Sequence, residues 1–160
     1  MRLKPVPEPP GDLETVERAQ RAVPLVPGTE DDCCARLEQR LDLDSRDTAR
    51  TWLTFLRALG LVEEGTSGFT RTRAEIDRET LAESFRGGVF GAREVLDALA
   101  AEGRLSPEEA FDRFEQHVPE WERHKGAGWQ RTWRERVRRL LEWAVLLGLA
   151  ERADGSYRPR

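Results

Sequence analysis

The chain is poor in the residues that build cross-links and metal sites. Its two cysteines, Cys33 and Cys34, are adjacent, where a mutual disulfide would be strained and would close no loop. They read as structural thiols in a reducing compartment. His117 and His124 complete the set of soft ligands, and neither Cys-x2-Cys nor His-x3-His spacing occurs, so no metal is expected. Lysine is almost missing: Lys4 and Lys125 stand against 24 arginines, a bias that says little about function. No run approaches the roughly 18 apolar residues of a membrane span. The first ten residues, Met1 to Pro10, lack the apolar stretch of a secretory signal, and a soluble cytoplasmic protein is expected. Gly87-Gly88-Val89-Phe90-Gly91 lacks the lysine and hydroxyl of a phosphate-binding loop. No serine or cysteine sits in a nucleophile motif, so neither an enzyme nor a cofactor is expected.

What the chain does have is a repeat. Leu59-Gly60-Leu61-Val62-Glu63-Glu64, followed by Phe69-Thr70-Arg71, returns 88 positions later as Leu147-Gly148-Leu149-Ala150-Glu151-Arg152, followed by Tyr157-Arg158-Pro159. Each copy closes a long amphipathic stretch and continues into two short strand-like runs around glycine. Of 160 residues, 38% are hydrophobic and 35% charged. That suffices for two small cores under a heavily solvated surface.

Helix signals precede each copy. Asp12, Thr29 and Ser45 are caps for helices to about Ala22, Leu41 and Leu59, and Pro24 and Pro27 end the first. Asp77 opens a short connecting helix to about Phe85, and a further helix spans about Val89 to Ala101. Ser106-Pro107-Glu108-Glu109 is a capping box with proline at the first helical position, opening a helix to about His117. The last helix runs from Trp129 or Thr132 to Leu147. The expected organisation is a Pro-rich arm (1–11), a first domain (12–73), a connector (74–87) and a second domain (88–160) carrying an insert (118–128) without counterpart in the first.

Formal net charge is -4, which by itself argues against nucleic acid. Its distribution is uneven. Residues 45–73 carry 5 basic and 3 acidic groups and residues 129–160 carry 8 and 4, so both helix-hairpin blocks are positive while the remainder is acidic. At about 100° per residue, Arg46, Arg50 and Arg57 fall in one sector beside the apolar face of the third helix. Arg131, Arg134 and Arg138 form a similar stripe on the last helix, away from Trp133, Val137, Leu140 and Ala144. Arg71, Arg73, Arg158 and also Arg152 place positive charge on the hairpins. The bland alternative is that these arginines are solvated and paired with Asp47, Glu135 and Glu142 on their own helices. Trp52 and Trp133 lie on core faces. Trp121 and Trp129 lie in or beside the insert, where a partner could dock, and Trp143 falls on the flank of its helix, a candidate for an inter-unit or dimer surface.

The twice-occurring helix, Leu-Gly-Leu corner and hairpin resemble a tandem winged helix-turn-helix protein over about 12–73 and 88–160. The resemblance implies a mainly α fold with small β-hairpin wings (α+β). It also implies one of two roles. The first is a DNA-binding regulator, non-enzymatic, whose third helices and wings meet double-stranded DNA, acting as a pseudo-dimer or homodimer. The second is an adaptor of the kind found in chromosome-segregation, general transcription-factor and membrane-trafficking complexes, with the Trp121 to Trp129 region meeting a protein partner. Fold alone does not choose between them.

Overall fold

The structure, a computed structural model, describes residues 5–160. Residues 1–4 of the Pro-rich arm lie outside the described residues. The rest of the arm has no helix or strand, yet Val6 and Pro7 are buried, so it is packed rather than a loose tail. Contacts divide the chain into two units, one ending at Val89 and the other Phe90–Arg160.

The first unit contains α1 (Leu13–Ala22), α2 (Glu30–Leu41), α3 (Arg46–Ala58), β1 (Val62–Gly65), β2 (Gly68–Arg71) and α4 (Arg78–Gly88). Asp12, Thr29, Ser45 and Asp77 each accept a hydrogen bond from a backbone N–H three residues on, satisfying donors that a helix start leaves open. α3 buries Ala49, Trp52, Leu53, Phe55 and Leu56, each large apolar side chain contributing about 1.5–3 kcal/mol. Its end is fixed by Gly60 at φ 77°. The Leu61 N–H donates to Leu56 O at 2.9 Å and the Gly60 N–H to Arg57 O at 3.0 Å, a Schellman closure that a side chain at Gly60 would strain.

That corner turns the chain into an antiparallel hairpin pairing Val62 with Arg71 and Gly65 with Gly68. A third short strand joins it: Gly28 and Phe69 exchange hydrogen bonds at 3.0 and 2.8 Å. Gly68, at φ 128°, must stay glycine, because a Cβ there would lie 2.4 Å from Gly28 O. Gln20, buried in α1, donates to the carbonyls of Leu61, Thr72 and Ala74 at 3.3 Å each and ties the first helix to the base of the hairpin. The segment expected as a connector carries α4, whose Gly88 closes onto Ala58 of α3.

The second unit contains α5 (Ala92–Glu102), α6 (Pro107–Phe114) followed by a 3-10 turn (Glu115–His117), α7 (Glu120–Arg123), α8 (Trp129–Leu146), β3 (Ala150–Ala153) and β4 (Ser156–Pro159). Ser106 and Glu109 form the capping box reciprocally, at 3.1 and 2.9 Å. The corner repeats: Gly148 has φ 78° and the Leu149 N–H donates to Ala144 O at 2.8 Å. So does the third strand, with Leu105 and Tyr157 exchanging bonds at 3.0 and 2.8 Å.

Gly28 and Leu105 lie 77 positions apart, whereas the corners lie 88 apart. The difference equals the length of the insert 118–128, which holds α7. In each unit the order is therefore helix, short strand, helix, helix, hairpin, a mainly α fold with small β wings.

Candidate nucleic-acid interface

In a helix-turn-helix the third helix enters the major groove, and its outward side chains meet bases and phosphates. In the first unit that helix is α3. Its arginines project from the flank of the apolar face, and each one meets carboxylates. Arg46 Nε lies 3.0 Å from Glu38 Oε2 and its Nη1 3.4 Å from Asp31 Oδ1; the bond to Glu38 raises the Arg46 pKa above its ordinary value. Arg50 reaches Asp47 at 2.7 Å and Glu30 at 3.4 Å, and Arg57 reaches Glu64 of β1 at 2.6 Å. Most of these acids come from the first turn and body of α2. Glu30 and Asp31 sit there because negative charge suits a helix N-terminus, and packing of α2 on α3 then sets them beside the arginines. Three cations thus face five carboxylates.

The second unit arranges the same helix differently. Arg131 and Arg134 are exposed on α8, and among the described residues neither has a carboxylate in ion-pair reach; Arg134 lies over the Phe111 ring at 5.0 Å. Arg134 is the repeat counterpart of Arg46, yet α6 sends no acid to it. Glu109 is occupied by its cap, whose hydrogen bonds from Ser106 lower its pKa. Arg138 pairs with Glu135 at 2.6 Å and Arg139 with the same carboxylate at 3.3 Å. Those bonds, Arg138 first, hold Glu135 below the usual carboxylate range against the opposing pull of partial burial.

The wings place their charges differently as well. In the first unit β1 exposes Glu63 and Glu64. Arg71 of β2 is half-buried, with its Nε buried and without an acceptor, and Arg73 follows the strand, exposed. In the second unit Glu142 of α8 accepts hydrogen bonds from Arg152 and from the Tyr157 hydroxyl, with Arg152 Nε at 3.0 Å. Burial raises the Glu142 pKa, but these bonds outweigh it and the net shift is downward. Arg158 pairs with Glu151 at 2.5 Å. Each wing is thus tied to its third helix by an arginine–glutamate pair of opposite polarity: Arg57 on the helix to Glu64 on the wing in one, Glu142 on the helix to Arg152 on the wing in the other. Across α8 and its wing, seven arginines (131, 134, 136, 138, 139, 152 and 158) stand with four carboxylates (Glu135, Glu142, Glu151 and Asp154), Arg136 being turned to Glu122 of the insert.

The insert folds against the start of α8. Glu122, 4% exposed, sits 3.5 Å from Arg136 Nη1 and 3.0 Å from Lys125 Nζ. Arg136 lies over the Trp133 ring at 4.5 Å; burial lowers its pKa, and Glu122 opposes that shift. Arg123 covers Trp129 and Lys125 covers Trp121, at 5.0 and 5.1 Å. Between insert and helix is a cavity of about 260 Å³ lined by Glu122, Lys125, Trp129, Thr132, Trp133 and Arg136.

Trp121 is 48% exposed and alone among large apolar side chains of 118–128 in being so. Trp52 and Trp133 are core residues. Helical angle put Trp143 on a flank fit for an inter-unit or dimer surface; the dimer reading is corrected, because Trp143 is fully buried and has no surface to offer a second chain, and its repeat counterpart Phe55 is buried too.

Sequence reasoning also missed Arg136 and Arg139, for which the run Arg134 to Arg139 was the available signal, and the α2 carboxylates, for which none was. Among the described residues no three metal-ligating side chains cluster, and no helix is long and apolar enough to cross a membrane. A family model described as the halobacterial double winged helix domain matches residues 1–160. No curated protein and no solved structure matches the chain.

Proposed function

This chain belongs to the halobacterial double winged helix family, and we propose that it is a non-enzymatic DNA-binding protein acting in transcription regulation in the cytoplasm. The observation that supports this most is the cationic outer side of α8, where among the described residues Arg131 and Arg134 have no carboxylate partner, on the helix that this fold presents to the major groove. Guanidinium can bridge two acceptors on guanine or clamp a phosphate. The wing arginines Arg152 and Arg158 stand where wings meet phosphates or the minor groove. The exposed pair of Arg158 with Glu151, worth about 0–1 kcal/mol, can be exchanged for phosphate oxygens at small cost. The family and the fold supply the regulatory role at a coarse level.

Within the insert, the exposed Trp121 favours the adaptor reading. It is a single indole with Lys125 over its ring, well short of the contiguous apolar patch that marks a protein-docking surface.

The test is fluorescence anisotropy of a random-sequence duplex about two helical turns long, titrated with the full chain across a salt series. DNA binding predicts log K falling linearly with log salt. Absence of binding at the lowest salt overturns the proposal and directs attention to a protein partner.

A further inference from the structure

The repeat invites the expectation that both third helices read DNA. We infer instead that the two units divide the work: the α8 face and the wing of the second unit contact the duplex, and the α3 face of the first does not. The inference rests on the DNA-binding reading above and adds which surface carries it.

Three independent features of each unit point the same way. The first is the neighbour helix. α2 sets Glu30, Asp31 and Glu38 against the arginines of α3, whereas α6 sets the Phe111 ring against Arg134. The second is the helix itself. Arg50 and Arg138 are repeat counterparts with the same intrahelical acid at i−3, Asp47 and Glu135, but α8 adds Arg131 and Arg139, where the first unit has Leu43, in the turn before α3, and Thr51. The third is the wing. Position 64 is glutamate and its counterpart 152 is arginine; each holds its hairpin to the third helix, the one through an anion on the wing and the other through a cation.

A phosphate approaching α3 meets more carboxylate than guanidinium, and an arginine that swings toward it leaves its former acid partners uncompensated beside the DNA. A phosphate approaching α8 and its wing meets more guanidinium than carboxylate, and among the described residues Arg131 and Arg134 have no acid to leave. Counterion release scales with the number of phosphates neutralised, so the difference is legible in the salt dependence of binding.

Three variants of the full chain, in the same anisotropy salt series with the same duplex, test this. The double variant Arg131→Ala, Arg134→Ala should lower the slope of log K against log salt by about 0.9 for each phosphate no longer neutralised, hence by roughly 2. Arg50→Ala, Arg57→Ala should leave the slope unchanged. Glu30→Gln, Asp47→Asn, Glu64→Gln releases Arg50 and Arg57 and should steepen the slope and tighten binding. That gain needs a folded protein, so it cannot come from a destabilised variant. Equal losses of slope from the two arginine pairs would overturn the division of labour, as would an unchanged slope for Arg131→Ala, Arg134→Ala. Absence of wild-type binding at every salt concentration would instead overturn the DNA reading itself, and this inference with it.

Discussion

Replacing Glu122 by alanine should destabilise the second unit by about 3 kcal/mol. The carboxylate is 4% exposed and bridges Arg136 of α8 and Lys125 of the insert. Its removal leaves the guanidinium of Arg136, only 20% exposed, without an anion. Breaking a buried pair from one side costs about 3–5 kcal/mol, and the lower end applies because Arg136 keeps the Trp133 ring and some contact with water. Lys125, whose side chain is 65% exposed, is the contrasting partner: Lys125→Ala should cost less than about 1 kcal/mol. Glu122→Gln, which keeps the shape and an acceptor, should fall between, at about 1–2 kcal/mol. Adding Arg136→Met to Glu122→Ala should recover part of the loss by removing the stranded charge. Calorimetry of the full chain, with urea titration alongside, would read the effect. At roughly 4–8 °C per kcal/mol for a unit of 60–100 residues, Glu122→Ala should lower the second-unit Tm by about 15 °C. A cost within about 0.5 kcal/mol of zero, or one equal to that of Lys125→Ala, would refute the claim that this pair holds the insert to α8.

Three further outcomes are expected. Burial, and then the hydrogen bond to Glu142, push the Tyr157 phenol up to about 12 from 10.0. A folded pKa above the unfolded one gives stability that is complete below pH 10 and lost as pH rises through 12, so wild type should lose on the order of 2 kcal/mol more than Tyr157→Phe over that window, read by urea unfolding at each pH. Trp143→Ala should cost about 3–5 kcal/mol by unfolding titration, and Trp121→Ala less than about 0.5 kcal/mol; similar costs would contradict the burial of the one and the exposure of the other. Cys33 and Cys34 are fully buried, and burial raises both thiols, Cys34 to about 11. An aromatic disulfide reagent should therefore leave the native protein unmodified and titrate two thiols only in denaturant, since thiolate is the reactive form.

Much of the architecture was legible because it is locally encoded. Caps at Asp12, Thr29, Ser45, Asp77 and Ser106, the Leu-Gly-Leu corners, and the Gly65 to Gly68 and Asp154-Gly155 turns are decided by the backbone chemistry of a few neighbouring residues, and each appears where those residues stand. The third strand of each unit was not legible: Gly28 and Leu105 contribute one bridge apiece, too short to leave an alternating pattern. Nor was the fate of Trp143, because helical angle ranks positions around one helix and is silent about what packs against its flank. The insert announced itself only as a gap in the repeat, and its α7 is a single turn that propensity does not single out.

The sequence by itself determined a twofold repeat of helix, corner and hairpin, since turn and cap chemistry acts over three or four residues and survives in both copies. It also placed the arginines, but could not say what they face. Charge counted along the chain made both helix-hairpin blocks positive. Only tertiary packing decided that α2 would set its carboxylates against Arg46 and Arg50, while α6 would leave Arg134 above a phenyl ring. Coulomb interactions depend on distance in space rather than in sequence, and the acids that neutralise Arg46 and Arg50 from α2 lie 8 to 20 residues away along the chain.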